Sequence, residues 1–329
     1  MRRFWLGFGA ALGLLSVVWL LGVRHQLGVP TGSSRWVFDA NQHKTKLAVE
    51  TPGVRTLIVA GSNAMFGIDS GQIEQLWQRP AINLAVNAGL GLPYILENSK
   101  RIARAGDIIL LPLEYALILD DGSPNAQIID YVIARDLDYW RSLSRFTQLQ
   151  FAAEMAPDRW VEGLRRLPDA LNANGRYGAH FLDARGDQTH TDKTDQTAAD
   201  EKAVSQAKIW DYGKRARAER GAWHLLAAYA SWAKNAGVCV IAMPTVLLKQ
   251  EKYTYDQDDH IFYTTLAQKM TALGLPYVGA PLDFMYPPSW FFDTDHHLQA
   301  WARTRHTNRL VTLLHANAPA ACLRTQSKE

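Results

Sequence analysis

Three short apolar runs alternate with two amphipathic segments between residues 55 and 115, and this order constrains the fold more than any other feature. Each run is continuous enough to be a strand covered on both faces: RTLIVAG (55–61), AINLAVN (81–87) and IILLPLEY (108–115). Asp69 and Gln72 form a capping-box pair before the first helical segment, and the second helix is predicted from Pro93 to Arg104. A strand–helix–strand–helix–strand order requires right-handed crossovers. We therefore predict a central parallel sheet in a three-layer α/β/α sandwich.

This alternation stops after the third strand and returns beyond residue 215. Helices are predicted at 222–237, about 260–273 and about 298–315, with strands at 238–245 and 275–280. The stretch between the two halves is aromatic and helical at first and then polar, so residues 120–215 are predicted to be a mainly helical insertion with a mobile loop. Residues 51–119 and 216–318 form one α/β domain in this prediction, and residues 319–329 are a tail.

The N-terminus carries an uncharged apolar stretch from Phe4 to Val23, preceded by Arg2 and Arg3. About 20 apolar residues suffice for a helix to cross the hydrocarbon core, and Lys and Arg flanking such a helix favour the cytoplasmic side. We predict an anchor over residues 1–24 with a cytoplasmic N-terminus, a linker over 25–50 and an extracytoplasmic remainder. A cleaved signal peptide is the competing interpretation, but no clear small-x-small cleavage site follows the span.

Charge and cysteine content bear on several classes of function. The formal net charge is +3 and the Lys and Arg residues are scattered, which gives no footprint for nucleic acid. The sequence has no Gly-rich phosphate loop of the expected form, so a nucleotide-binding α/β protein is not favoured. Cys239 lies in an apolar run and Cys322 near the C-terminus. Two cysteines do not make a disulfide framework, and whether these two pair stays open.

Polar residues follow the predicted strands, where open parallel sheets bind their ligands. Ser62, Asn87, Glu114 and Pro244 follow or end four strands, so one edge of the sheet would gather them. Serine is a poor nucleophile unless a base, usually a histidine held by a carboxylate, takes its proton. The candidate base lies in WFFDTDHHLQAW (290–301), which holds two Asp and two His within five residues.

Structural interpretations compete with the catalytic one. Gly-Ser-Asn after a strand is typical of a turn, because these residues tolerate unusual backbone angles. The adjacent His residues are also compatible with a helix cap or a weak metal site, although a His-Glu-x-x-His spacing is absent. The catalytic interpretation is favoured because both blocks occur, in order, at opposite ends of one α/β pattern.

Four blocks together resemble the SGNH or GDSL-type hydrolases and acyltransferases. They are GSNAMFGID, NLAVNAGLGLPY, DIILLPLEY and DTDHHLQAWARTRHT, and they cover both ends of the predicted sandwich. The likeness is greatest to the membrane-anchored bacterial relatives linked to O-acylation of surface polymers, such as the alginate acetylation proteins and the teichoic-acid D-alanylation protein. The resemblance implies a flavodoxin-like sheet and a site without metal or cofactor.

The resemblance implies a catalytic triad. Ser62 would be the nucleophile and Asp293 would orient the base. Strict Asp-x-x-His spacing selects His296 as that base, whereas the anchored relatives place the histidine immediately before a leucine, which selects His297. We favour His297 and keep His296 as the alternative.

An oxyanion hole is implied as well, with donors from the backbone N–H groups of Ser62 and Gly89 and from the side chain of Asn87 or Asn63. The first block departs from the family, with Gly-Ser-Asn where Gly-Asp-Ser is common. The Gly-x-Asn-Asp block is replaced by Leu113-Glu114-Tyr115. This replacement removes the third donor of the family.

Four residues are candidate substrate contacts: Glu114, Tyr115, Trp140 and Trp210. Aromatic faces could stack on sugar rings, but bulky aromatics in an inserted helical segment also commonly form its small core. Glu114 and Tyr115 would in that case be a strand end packed under the insertion.

These observations predict an extracytoplasmic serine acyl esterase or O-acyltransferase, anchored in a bacterial inner membrane, that acts on a surface polysaccharide through an acyl-Ser62 intermediate. Hydrolysis and transfer both stay open. A membrane-bound acyl donor protein is the partner that the resemblance implies. The alternative is a non-catalytic relative that binds polysaccharide or scaffolds a membrane synthesis complex.

Overall fold

The computed structural model describes residues 1–165, 175–218 and 221–323. The protein is mixed α/β and 62% helical. Its chain divides into two compact units, which we name the anchor unit (Met1–Phe38 and Pro124–Gly175) and the sheet unit (Asp39–Ser123 and Arg176–Glu329). Within the predicted insertion, residues 166–174 lie outside the described part, as do 219–220 and residues 324–329 of the predicted tail.

The α-helices are α1 Arg2–Gln26, α2 Gly32–Glu50, α3 Ser62–Gly67, α4 Ser70–Trp77, α5 Gly91–Ile102, α6 Tyr115–Ile118, α7 Ala126–Arg135, α8 Leu137–Ser142, α9 Arg145–Ala153, α10 Pro157–Arg165, α11 Ala198–Ser205, α12 Tyr212–Arg217, α13 Trp223–Asn235, α14 Lys252–Tyr255, α15 Gln257–Ala272, α16 Ala300–Asn317 and α17 Ala320–Leu323. Short 3-10 helices lie at Ala88–Leu90, Ala179–Phe181, Lys193–Asp195, Pro281–Phe284 and Pro288–Trp290. The predicted cap at Asp69 is confirmed, because its carboxylate accepts a hydrogen bond from the Gln72 backbone N–H.

The sheet unit contains a parallel sheet of β1 Thr56–Ile58, β2 Ala81–Asn83, β3 Ile108–Leu111 and β4 Cys239–Ala242, in the order β2-β1-β3-β4. Leu57 pairs with Ile82 on one side and with Ile109 on the other. These side chains are buried, which explains why the runs lack polar alternation. The predicted parallel sheet is thereby confirmed. All four strands end at one edge, and the polar residues that follow them meet there.

Two further strand features differ from the prediction. The strand expected over 275–280 is reduced to one parallel bridge between Tyr277 and Ala242, flanked by hydrogen bonds on both sides of Ala242. Gly274 and Gly279 both have positive φ, so the chain turns away before and after this bridge. A second parallel pair, β5 Leu247–Leu248 with β6 Met285–Tyr286, has no signal in the sequence because each strand is only two residues long.

The linker and the insertion also depart from their predicted forms. Residues 25–50 were expected to be a linker, but most of them form α2. Arg176 to residue 215 group with the sheet unit, although they were assigned to the insertion. The polar stretch expected to be a mobile loop contains buried Asp187, which accepts hydrogen bonds from Ser70 and Asn83. Asp187 is therefore held by hydrogen bonds to α4 and β2.

One N-terminal helix is long and apolar enough to span a membrane. Helix α1 has 25 residues and a mean hydropathy of 2.1 over its most apolar window, of which only 6% is buried. Its large side chains, such as Leu14, Leu15 and Leu21, are exposed over more than half of their surface. By length and composition, such a helix could cross the hydrocarbon core of a bilayer.

Cys239 and Cys322 form a disulfide, with Cα atoms 5.4 Å apart. This pairing, which the sequence leaves open, joins β4 to α17 across 83 residues of chain. The disulfide fits an oxidising compartment, where such bonds form and persist.

A buried ion pair ties the start of β1 to the start of β3. Arg55 and Asp107 both have fully buried side chains, and the guanidinium contacts the carboxylate at 2.5 Å. The same carboxylate accepts from the backbone N–H groups of Arg55 and Arg104 at 2.8 and 2.9 Å. The pair thus reinforces the backbone hydrogen bond from Ile108 N to Arg55 O, at 2.9 Å, where both strands begin.

We expect Asp107→Asn to lower the free energy of unfolding by about 3–5 kcal/mol, because it leaves the Arg55 charge buried without a counter-ion. Urea unfolding of the detergent-solubilised chain, followed by tryptophan fluorescence, measures this loss. The matched control is Glu201→Gln, which breaks the exposed ion pair with Lys193 in the same unit and should cost at most about 1 kcal/mol. Equal losses in the two variants would contradict the structural role of the buried pair.

Candidate active site

The nucleophile candidate lies where the chain passes from β1 into α3. Gly61 caps α3 and Ser62 is its first residue. A side chain at position 61 would place its Cβ 2.6 Å from the Ala88 backbone nitrogen, so only glycine permits this approach. The close contact brings the segment after β2 beside Ser62. The small residues of this corner are therefore required by the crowding of two loops at the sheet edge.

Ser62, His297 and Asp293 form a continuous hydrogen-bonded chain. The Ser62 Oγ lies 2.8 Å from His297 Nε2, and His297 Nδ1 lies 2.7 Å from Asp293 Oδ1. His297 and Asp293 are 5% and 9% exposed, whereas Ser62 is half-buried. The base and its carboxylate are thus shielded while the nucleophile keeps access to solvent.

Three elements hold the base in this orientation. The ring of Phe66, on α3, stacks on the His297 ring with centroids 4.0 Å apart and planes 6° apart. The Tyr177 hydroxyl donates to Asp293 Oδ2. Backbone pairing between Phe292 N and His297 O, at 2.7 Å, closes the loop that carries both residues. The histidine ring therefore cannot rotate without losing a stacking contact and a hydrogen bond.

The electrostatics favour a charged Asp293. Burial alone would raise the pKa of Asp293, but the hydrogen bonds from His297 and Tyr177 and the charge on His297 lower it below its usual value. An ionised carboxylate accepts the Nδ1–H of His297 and leaves Nε2 as the acceptor for the serine proton. This is the tautomer that a general base requires.

His296 makes a separate pair with Asp295. His296 Nδ1 lies 2.9 Å from Asp295 Oδ1, and Trp210 Nε1 donates to Asp295 Oδ2 at 2.6 Å. Burial would lower the pKa of His296, but the hydrogen bond to Asp295 and the charges of Asp295 and Glu114 raise it. A histidine that holds its proton is a poor base, and the structure places His297, not His296, against Ser62. Asp295 also anchors Trp210.

Glu114 lies under the nucleophile corner and does not face the crevice. Its carboxylate accepts from the backbone N–H groups of Gly61 at 3.0 Å and Asn63 at 3.2 Å, on either side of Ser62. The residue is 4% exposed, and this burial raises its pKa. Glu114 is therefore a positioning residue for the corner, which corrects its assignment as a substrate contact.

The predicted oxyanion donors are only partly free. The Asn63 side-chain amide donates at 2.6 Å to both Pro112 O and Thr245 Oγ1, which removes it from the set of candidates. The Gly89 N–H donates at 2.6 Å to Asn87 Oδ1, so it is occupied by the side chain that was expected to act beside it. Among the described residues, the Ser62 N–H has no hydrogen-bond acceptor. It stays a candidate donor of the predicted set, as does the Asn87 side-chain NH₂ group, because the bond from Gly89 uses only Asn87 Oδ1.

Two other predicted substrate contacts lie elsewhere. Tyr115 is fully buried among aromatic rings, with Tyr212 and Tyr263 at centroid distances of 5.7 and 5.3 Å, and belongs to the core. Trp140 lies in the anchor unit, where it packs against Phe151. The core interpretation of these aromatics is therefore the better one.

Trp210 is the predicted contact that borders a cavity. The cavity measures about 700 Å³, and its wall includes Asp120, Lys208, Asp211 and Lys214. Trp210 also donates to Asp295, in the loop that carries Asp293 and His297, although no residue of that loop lines the cavity. Lys208 covers the indole at 4.6 Å, and its flexible side chain can move aside. No group of three or more His, Cys, Asp or Glu side chains placed to hold a metal ion occurs among residues 1–165, 175–218 and 221–323.

Several contacts of the site have no signal in the sequence. Phe66 lies 231 residues before His297 in the chain. Tyr177 lies 116 residues before Asp293, and Glu114 lies 53 residues after Gly61. Two sequence features do point to Glu114: its place at the end of a predicted parallel strand, and the replacement of the Gly-x-Asn-Asp block by Leu113-Glu114-Tyr115.

Comparison with known proteins adds no relative: no family model, no curated protein and no solved structure matches this chain.

Proposed function

We propose that this chain is an SGNH-like serine acyl esterase or O-acyltransferase that acts on a cell-surface polysaccharide. The observation that carries the proposal is the hydrogen-bonded chain from Ser62 Oγ through His297 to Asp293. A serine in a turn needs no such partner, and a structural histidine needs no stacked ring and buried carboxylate aligned behind it. The arrangement matches the roles of a nucleophile, a base and an orienting group.

The geometry supports a two-step acyl transfer. His297 Nε2 takes the Ser62 proton while Oγ attacks the ester carbonyl, and Asp293 stabilises the resulting imidazolium through Nδ1–H. The Ser62 N–H can donate to the oxyanion that develops on the carbonyl oxygen. His297 then returns the proton to the leaving alcohol, which gives an acyl-Ser62 ester. Water or a sugar hydroxyl, deprotonated by His297, attacks this ester and regenerates the serine.

The Trp210 cavity supports a carbohydrate acceptor. Its wall includes Asp120 and Asp211 as well as Lys208 and Lys214. Negatively charged hydrogen-bond acceptors and positively charged donors therefore line the same cavity as the Trp210 indole. A polyanion would meet the carboxylates and a polycation the ammonium groups, whereas sugar hydroxyls can bond to both. The volume of about 700 Å³ is within the range of ligand pockets.

The proposed location is extracytoplasmic. Helix α1 would span a bacterial inner membrane with Arg2 and Arg3 on the cytoplasmic side, and the Cys239–Cys322 disulfide supports an oxidising compartment. The sheet order supports the three-layer sandwich of the SGNH family. A membrane-bound acyl donor protein would supply the acyl group in the transferase version of the proposal.

A fluorophosphonate probe tests the proposal directly, because it reacts covalently with activated serines. We expect the folded wild-type chain to be labelled and Ser62→Ala to be unlabelled, with mass spectrometry placing the adduct on Ser62. Circular dichroism verifies that both chains are folded. A folded wild type that resists labelling would overturn the enzyme and favour the alternative, a non-catalytic polysaccharide-binding or scaffolding protein.

A further inference from the structure

Helices α9 and α10 of the anchor unit expose a group of large apolar side chains. Phe146 and Leu149 are 70% and 57% exposed, and Val161 and Leu164 are 48% and 64% exposed. Each pair is spaced three residues apart, so it lies on one face of its helix. Scattered single apolar residues need no explanation, but two exposed pairs on consecutive helices, within 20 residues of chain, make a candidate interaction surface. We name these four residues the apolar face.

Helix α10 is fastened to the C-terminal part of α1. The indole of Trp160 contacts that of Trp19 with ring centroids 4.7 Å apart. A Cβ at position 22 would come within 2.6 Å of the Trp160 ring, so Gly22 is the residue that lets α10 approach the helix so closely. Arg159, which is 5% exposed, donates to Gln26 Oε1 at 2.7 Å and pairs with Asp130 at 2.7 Å. These contacts fix α10 at one end of the apolar span.

That end of α1 is where a spanning helix leaves the hydrocarbon core. The uncharged stretch runs from Phe4 to Val23, and Arg24 follows it. Tryptophans concentrate at this depth of a bilayer, because their rings suit the boundary between acyl chains and headgroups. With the membrane span proposed above for α1, on which this inference rests, Trp19 and Trp160 would lie at the membrane surface. The apolar face on α10 begins at the next residue, Val161.

We propose that α9 and α10 lie in the membrane–water interface, with the apolar face inserted among the lipids. The occupant of this face is thus the same phospholipid bilayer that α1 spans. Amphipathic interfacial helices bury their apolar side to roughly 5–10 Å at the boundary of headgroups and acyl chains. Exposed Arg145 and Arg165, in the first turn of α9 and the last turn of α10, are positioned to meet lipid phosphates. The protein would then be held to the membrane by a span and by a surface contact.

Depth-resolved fluorescence quenching tests this proposal on the full chain in lipid nanodiscs. Phe146→Cys and Leu164→Cys each introduce one free thiol for an environment-sensitive fluorophore, because Cys239 and Cys322 are paired. Tyr255→Cys is the matched control, since Tyr255 is 74% exposed but lies in the sheet unit. We expect blue-shifted emission at positions 146 and 164, stronger quenching by nitroxides near the headgroup than by nitroxides at the acyl-chain end, and neither effect at 255.

Two results would overturn the proposal. Emission at 146 and 164 that is as red-shifted and as open to aqueous iodide as that at 255 would place the apolar face in water. A blue shift without quenching by lipid nitroxides would mean that a second copy of the chain or another protein covers it. The proposal does not depend on the catalytic role of Ser62.

Discussion

Ser62→Ala and His297→Ala should each reduce kcat/KM for an aryl ester by roughly 10⁴–10⁶-fold, and the double variant should lose little more than either single one. Nucleophile and base act as one unit, because the base has no proton to take once Oγ is gone. Conversely, Oγ is not activated without Nε2 at 2.8 Å. If the two residues had separate structural roles, the loss in the double variant would instead approach the product of the two single losses.

The neighbouring histidine provides the control for this experiment. The His296 side chain is 13% exposed and is also paired with an aspartate, so His296→Ala removes the same volume from the same loop. We expect it to change kcat/KM by less than about tenfold, because its ring contacts Asp295 instead of Ser62. Initial rates are measured on detergent-solubilised protein after subtraction of the uncatalysed rate. A loss in His296→Ala as large as that in His297→Ala would contradict the assignment of the base.

Much of the sheet can be predicted from the sequence, because strands buried on both faces consist largely of apolar residues. The apolar runs at 55–61, 81–87 and 108–115 locate β1, β2 and β3, although the strands occupy only three or four residues of each. The runs are longer than the strands because the residues beyond them, such as Val59 and Leu113, are buried in the turns at the sheet edge. Apolar periodicity reports burial and not hydrogen-bond pairing, so it overestimates strand length.

Other segments owe their structure to contacts with residues that are distant in the chain, which a local sequence pattern does not reveal. Tyr277 is held by a single bridge to Ala242, and the polar residues around Asp187 are ordered by side chains that lie about a hundred residues earlier in the chain. Residues 25–50 look like a linker because Gly and Pro occur near their start, yet Gly32–Glu50 is helical. Tertiary packing decides such segments, and propensity alone does not.

The candidate site was likewise predictable from the sequence only in part. Sequence blocks identify Ser62 and the Asp/His loop, but spacing cannot choose between His296 and His297, since either could follow Asp293 in a short loop. The choice is made by Phe66 stacking on one of the two rings and Trp210 binding the carboxylate beside the other. The oxyanion set is overestimated for a similar reason. Sequence shows that Asn63 and Gly89 can donate, and the structure shows that their donors are already used.

Asp293→Asn should reduce kcat by about 10⁴-fold, whereas Asp295→Asn, two positions away, should change it by less than about tenfold. An asparagine at 293 can turn its NH₂ group toward His297 Nδ1, which would shift the imidazole proton to Nε2 and leave no acceptor for the Ser62 proton. The Asp295 side chain is 16% exposed, against 8% for Asp293, and it is paired with a histidine in the same manner, so the two variants delete one negative charge from similar environments. Similar losses in both would show that the loop's total charge matters and not the tautomer of His297.

A pH series separates the catalytic role of Asp293 from its contribution to stability. The folded pKa of Asp293 is depressed, so its stabilising contribution is present above the unfolded pKa of about 3.9 and is lost as the pH falls through the lower folded value. The free energy of unfolding of Asp293→Asn should therefore lie below that of the wild type at neutral pH and approach it in acid. The loss in kcat should instead persist across the neutral range, because it comes from the imidazole tautomer. If the kcat of Asp293→Asn instead returned to the wild-type value at each pH where the two proteins are equally stable, Asp293 would contribute to folding and not to catalysis.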